Sequence, residues 1–183
     1  MVEKLNAEYQ VDIEWRPFYL YFDTPPEGQE LSEHIKRARA NGSEERLRSM
    51  ANAYGMKFES TARIYNTRIA HEATEYAREH GKGNEFHKVV FRKVYADGQD
   101  PSQWAVLYSA AEEVGLNAEE MQSEVDSGKY TANVAEQVQW AYQIGVSGVP
   151  TYVINDRYAV VGAQPYEVFK GALEQIMNQK SQP

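Results

Sequence analysis

Pro150 stands in the run Gly145-Val-Ser-Gly-Val-Pro-Thr-Tyr-Val-Ile154, where helical patterning gives way to β-branched residues. A central strand position cannot spare its N–H to proline, but the first residue of a strand can, and X-Pro is the common route to a cis bond. The Val149-Pro150 step is therefore expected to be a cis corner opening a strand. The same chain contains no cysteine. That removes disulfides, cysteine-ligated zinc and a cysteine nucleophile from the chemistry available to these residues.

Other residues that could do chemistry are less persuasive. His71 precedes Glu75 by one helical turn and could form an acid/base or metal pair, although a lone His on an amphipathic helix is more often packed or solvated. His80 and His87, with Glu79 and Glu85, flank a glycine and lack a metal-ligand spacing. Asp97-Gly-Gln-Asp100 has the look of a calcium loop but lacks the alternating acidic ligands and the later Glu. Turn and helix cap explain it better. Ser147-Gly-Val is not a nucleophile elbow. Tyr130, Tyr142 and Tyr158 could bind a ligand, but thirteen tyrosines make any one of them a weak choice. No metal site is expected.

The elements that must position these residues fall into two kinds of territory. Val11, Ile13 and Trp15 alternate with Asp12, Glu14 and Arg16, which predicts a strand ending at Pro17. Thr24-Pro-Pro-Glu-Gly28 breaks regular structure. From Leu31 to Ile144 the signals are helical and predict about six helices, with Ser43, Asn66, Asp100, Asn117 and Thr131 as caps and glycines at 55, 81, 115 and 145 as stops. Thr151-Tyr-Val-Ile154 and Tyr158-Ala-Val-Val161, joined at Asn155-Asp156, read as a hairpin. Gln164-Pro165 opens a last helix with Phe169, Ala172, Leu173, Ile176 and Met177 on one face.

Length and charge bound the rest. The 183 residues, 42% hydrophobic and 25% charged, suit a well-cored domain. A net charge of -8 disfavours nucleic acid and acidic lipid as partners. No segment is apolar enough to span a membrane and no signal peptide is visible at Met1-Val-Glu-Lys-Leu, so the cytoplasm is the expected compartment.

Taken jointly, these stretches carry a resemblance. Trp15-Arg-Pro-Phe18 with Pro25-Pro-Glu-Gly28, Asn66-Thr67 with Ala70-His71, and Gly148-Val-Pro through Tyr158-Ala-Val to Gly162-Ala-Gln-Pro165 resemble the DsbA-like branch of the thioredoxin superfamily. More narrowly they resemble its FrnE-like members, related to 2-hydroxychromene-2-carboxylate isomerases and kappa-class glutathione transferases. The resemblance implies an α/β, thioredoxin-like fold, incomplete at the N-terminus, with a large all-helical insertion. It divides the chain into a split thioredoxin-like domain, 1–29 with 145–183, and a helical insertion, 30–144.

In that family a first strand leads to a Cys-x-x-Cys at a helix start, whose dipole lowers the pKa of the attacking thiol. Here that helix would end near Glu3-Lys-Leu-Asn-Ala-Glu-Tyr9. Roughly thirty residues of strand, motif and most of the helix are thus expected to lie before Met1, for a βαβ unit of normal size. The implied function is thiol-disulfide oxidoreductase, N-terminally truncated and redox-inactive as it stands, with no catalytic residue. Val149, Pro150 and Thr151 are the implied substrate contacts. The alternatives are a cysteine-less binding module of the same fold, or a glutathione-dependent isomerase or transferase, which makes glutathione the one candidate cofactor. Implied partners are thiol- or disulfide-bearing proteins or small molecules. Without the first strand, either the flanking strands pair directly or a second copy fills the gap, giving a homodimer through exposed sheet edges.

Overall fold

The computed structural model of the protein describes residues 2–180. Among them are nine helices and two strands. They divide into two compact units, residues 21–136 and residues 2–20 together with 137–180, and the division falls within one helix.

The helical unit opens with α1's successor pair: α1 itself, Val2–Tyr9, belongs to the other unit, and α2, Glu33–Ala40, and α3, Ser43–Ala53, pack on each other. Neither α2 nor α3 buries a residue completely. Ser32 caps α2 by accepting from the Ile35 N–H at 3.3 Å. The cap expected at Ser43 is one residue early: Gly42, at φ 82°, holds that place, and Ser43 is the first helical residue. A glycine tolerates this left-handed geometry at no steric cost, which tightens the link between the two helices.

The core of this unit is made by α4, Arg68–Glu79, α5, Gly83–Tyr95, α6, Trp104–Glu113, and α7, Ala118–Asp126. Their facing side chains include Ala73, Tyr76, Phe86, Leu107, Ala110, Ala111 and Met121, all essentially buried. Alanines opposite the large rings let the helices approach closely. Each fully buried large side chain contributes about 2 kcal/mol from apolar area. The carboxylate of Glu72, 1% exposed, is compensated by Arg68 at 2.8 Å and the Thr131 hydroxyl at 2.9 Å. The cap expected at Asn66 falls one residue late, at Thr67, although Asn66 Oδ1 still accepts from the Arg68 N–H and its amide donates to the Thr24 carbonyl at 2.7 Å. Asn117 caps α7 through the Glu120 N–H at 3.1 Å.

The other unit contains α1, the end of α8 (Thr131–Gln143), β1 (Thr151–Ile154), β2 (Tyr158–Val161) and α9 (Tyr166–Lys180). The two strands pair antiparallel, with Thr151 opposite Val161 and Ile154 opposite Tyr158. Asn155 and Asp156, the first two of the three loop residues, both have positive φ, 51° and 54°, which Asn and Asp tolerate. Tyr152 stands edge-on to Phe169 of α9 at 4.6 Å, and Phe169 and Ile176 are buried as their spacing implies. The chain is a thioredoxin-like fold with a predominantly helical body, as the resemblance implied.

Two expectations are corrected. Val11–Trp15 forms no strand, and among the described residues β1 pairs with β2 alone, so the flanking segments do not close on each other. The alternation is still visible in burial, with Val11 and Ile13 half-buried and Asp12 and Glu14 exposed. A strand exists only through its ladder, and side chains hold this stretch instead. The Arg16 guanidinium lies 4.4 Å from the Trp140 ring, and Phe18 meets Tyr142 at 5.0 Å. The block from Leu31 to Ile144 also holds seven helices rather than about six. The additional one is α2, whose two turns carry too few apolar residues to show a stripe.

Candidate functional site

The corner before β1 is built by the way α8 stops. Gly145, at φ 82°, donates to the Tyr142 carbonyl at 3.0 Å, and the next residue, Val146, donates to Ala141 at 2.9 Å. This is a Schellman ending, for which glycine is the favoured residue. It turns the chain out of the helix and into Ser147-Gly-Val-Pro150.

The Val149–Pro150 bond is cis. Pro150 has no N–H to give, but its carbonyl accepts from Gly162 at 2.8 Å, which anchors the corner to the far end of β2. Thr151 ties the loop from the inside, its hydroxyl donating to the Gly148 carbonyl at 2.7 Å. With the loop fixed at both ends, Val149 is held out, 52% exposed. The three residues singled out in the sequence are therefore consecutive on one surface. Val149 and Pro150 are exposed, and Thr151 is half-buried.

Apolar side chains rim this corner in sequence. Tyr142 and Ile144, at the end of α8, are exposed, and the Tyr142 hydroxyl donates to the Tyr19 carbonyl at 2.6 Å. Val161, opposite Thr151 in the ladder, is also exposed. What sequence reasoning passed over is the charge distribution. From Gln137 to Asn155, nineteen consecutive residues carry no charged side chain, in a chain where one residue in four is charged. Arg16, which stacks on Trp140, is itself paired with Glu14 at 3.1 Å. The residues from Gln137 to Asn155 themselves thus include no carboxylate, imidazole or thiol.

The other candidates are placed elsewhere. His71 and His87 lie on α4 and α5, each with its pKa lowered to about 4, first by burial and then by nearby positive charge. Glu75 accepts from Asn133 at 3.2 Å and pairs with Arg78 at 3.4 Å. The His80 ring contacts the Tyr76 carbonyl through Nδ1 at 2.9 Å. Glu79 and Glu124 converge on the Tyr130 hydroxyl at 2.7 and 2.6 Å, with Lys129 reaching both, so Tyr130 is a structural tie. Asp100 accepts from the N–H and hydroxyl of Ser102, capping the turn before α6.

Residues 1–174 match the DSBA-like thioredoxin domain. The chain belongs to this family. A relative in Bacillus subtilis (strain 168), the uncharacterised protein YwbO, is 27% identical over 173 residues, covering 93% of this chain and 84% of the relative. A "probable DsbA oxidoreductase" from Streptomyces coelicolor superposes with a TM-score of 0.71 at 26% identity, over 97% of this chain and 67% of that one. A 2-hydroxychromene-2-carboxylate isomerase superposes with a TM-score of 0.79 at 20% identity, over 98% and 88% of the two chains. At that identity the last likeness bears on the fold alone. The sequence matched to this family contains no cysteine.

Proposed function

We propose that this DsbA-like chain is a docking protein for thiol- or disulfide-bearing polypeptides, with Val149, Pro150 and Thr151 as the contact surface. The observation that carries this reading is the exposed, uncharged corner that Gly145 and Gly162 hold at the head of β1. A polypeptide laid across it would cover Val149 and Pro150 and meet Tyr142 and Ile144 with its own apolar side chains. Removing that apolar surface from water supplies the affinity.

Disulfide exchange requires a thiolate attacking along a disulfide axis. With no cysteine among its 183 residues, the chain as it stands has no thiolate to offer. In this reading it orients a substrate sulfur but does not exchange with it. Glutathione suits the surface poorly. Its two carboxylates would find no cation between Gln137 and Asn155, and desolvating unpaired charges is unfavourable. No described helix is long and apolar enough to cross a membrane.

Calorimetric titration tests it. A peptide with an S-methylated cysteine between apolar residues is expected to bind saturably, while glutathione gives no binding heat. Insulin reduction is expected to run no faster than with dithiothreitol alone. Saturable glutathione binding with none from the peptide would overturn the reading.

A further inference from the structure

Asn41-Gly42 is the only Asn-Gly pair in the chain, and it forms the whole link between α2 and α3. Asn41 is exposed, and among the described residues its side-chain amide has no hydrogen-bond partner. Glycine adds no Cβ to shield the bond between the two residues. A Cβ at Gly42 would meet only the Arg46 Nη1, 4.0 Å away.

What restrains the pair is its main chain. The Gly42 N–H donates to the Arg39 carbonyl at 2.9 Å, and Asn41, at φ -85° and ψ 16°, donates to the Arg37 carbonyl at 3.0 Å. Both bonds belong to the last turn of α2, a helix of eight residues that buries none of them. Helix ends fray, and a helix this short is marginal without packing, so these bonds open readily. Once they open, ψ of Asn41 rotates freely and the Gly42 nitrogen reaches the Asn41 Cγ.

We propose that the α2–α3 joint is a modification site, at which Asn41 converts spontaneously through a cyclic imide to aspartate and isoaspartate. The Gly42 nitrogen gives up its proton and bonds to Cγ, while the C–N bond of the side-chain amide breaks and its nitrogen leaves, with that proton, as ammonia. Water then opens the ring at either imide carbonyl, giving aspartate, or isoaspartate with the main chain routed through the side-chain carbon. No electrons are transferred, and water is the sole co-reactant. The Arg46 guanidinium, donating to the Asn41 carbonyl at 3.5 Å, is placed to offset the negative charge of ring closure. Arg37 and Arg39 add positive charge from the last turn of α2. The product puts a carboxylate at the C-terminal end of α2, where the helix dipole disfavours it. Isoaspartate also lengthens the main chain by a methylene beside Gly42, whose φ of 82° sets the joint. Its free α-carboxylate suits a repair methyltransferase, so the class of reaction that consumes this product is carboxyl methylation.

The test is long incubation of the full, folded chain at mildly alkaline pH, followed by peptide mapping with mass spectrometry. The peptide carrying Asn41 is expected to gain the mass difference between amide and acid, to resolve into two products of equal mass, and to accept methyl groups from an isoaspartate carboxyl methyltransferase. Asn52, Asn84 and Asn155, each followed by a residue with a Cβ, are expected to convert about tenfold or more slowly, because that carbon crowds ring closure. Asn41→Gln is expected to abolish conversion at the joint, since its ring would need another member. Arg46→Gln is expected to slow it about threefold, the scale of a solvent-screened charge. An Asn41 that stays unconverted in the folded chain while converting in urea overturns the proposal. So does conversion no faster than at Asn52, or aspartate formed without isoaspartate, which would mean direct hydrolysis. An unchanged rate in Arg46→Gln overturns the part assigned to that guanidinium.

Discussion

His71 and His87 show how residue chemistry in this chain serves the fold rather than a reaction. Both have pKa values of about 4 against an ordinary 6.5. Burial is the leading cause for each; His87 adds positive charge beside His71, and Arg78 and Lys88 do so beside His87. Between those pH values the unfolded chain takes up protons that the folded chain refuses. Stability is therefore full above about pH 6.5 and falls as pH drops toward about 4. Urea unfolding at pH 7 and at pH 5 is expected to give a lower midpoint at pH 5, and His87→Gln is expected to reduce that drop. Identical midpoints at the two pH values would refute the assignment. The sequence reading that a lone His on an amphipathic helix is more often packed agrees with where His71 sits. What it could not supply was the pairing across helices, because residue spacing along one helix says nothing about its neighbour.

Among the elements, those with local signals were legible and those needing a distant partner were not. Asn117 caps α7 and Asn155-Asp156 turns the hairpin because a side chain or a φ preference acts within a few residues. Val11–Trp15 alternates as a strand should, yet strand formation depends on a ladder that the sequence of this segment does not contain. A further non-local constraint went unread at Gly28. It has φ 75°, and a Cβ there would come within 2.8 Å of the Ile64 carbonyl oxygen, beside the Gln29–Ile64 bridge. Gly28→Ala is expected to lower the unfolding free energy by about 2 kcal/mol, combining a left-handed backbone penalty with a backbone clash. Chemical denaturation would measure it, and a loss indistinguishable from zero would mean that the bridge can shift.

At the scale of the whole molecule, charge is unevenly distributed along the sequence. The chain carries a net charge of -8, yet Gln137–Asn155 carries none, and that stretch supplies the end of α8, the corner and β1. The proline corner was legible because helix stop, proline and hairpin occur in sequence order. The uncharged run was equally legible, but the exposure of Val149, Tyr142 and Ile144 within it was not, because exposure depends on what packs against each residue. The family shows the fold, and the sequence that matches it contains no cysteine. The most direct test is a titration of a fluorescently labelled, S-methylated peptide with the native chain and with Val149→Asp. Val149 is exposed, so the substitution is expected to leave the thermal midpoint unchanged while weakening binding about tenfold or more, the cost of desolvating a carboxylate against an apolar ligand. Equal affinity of the two proteins for the peptide would contradict docking at the corner.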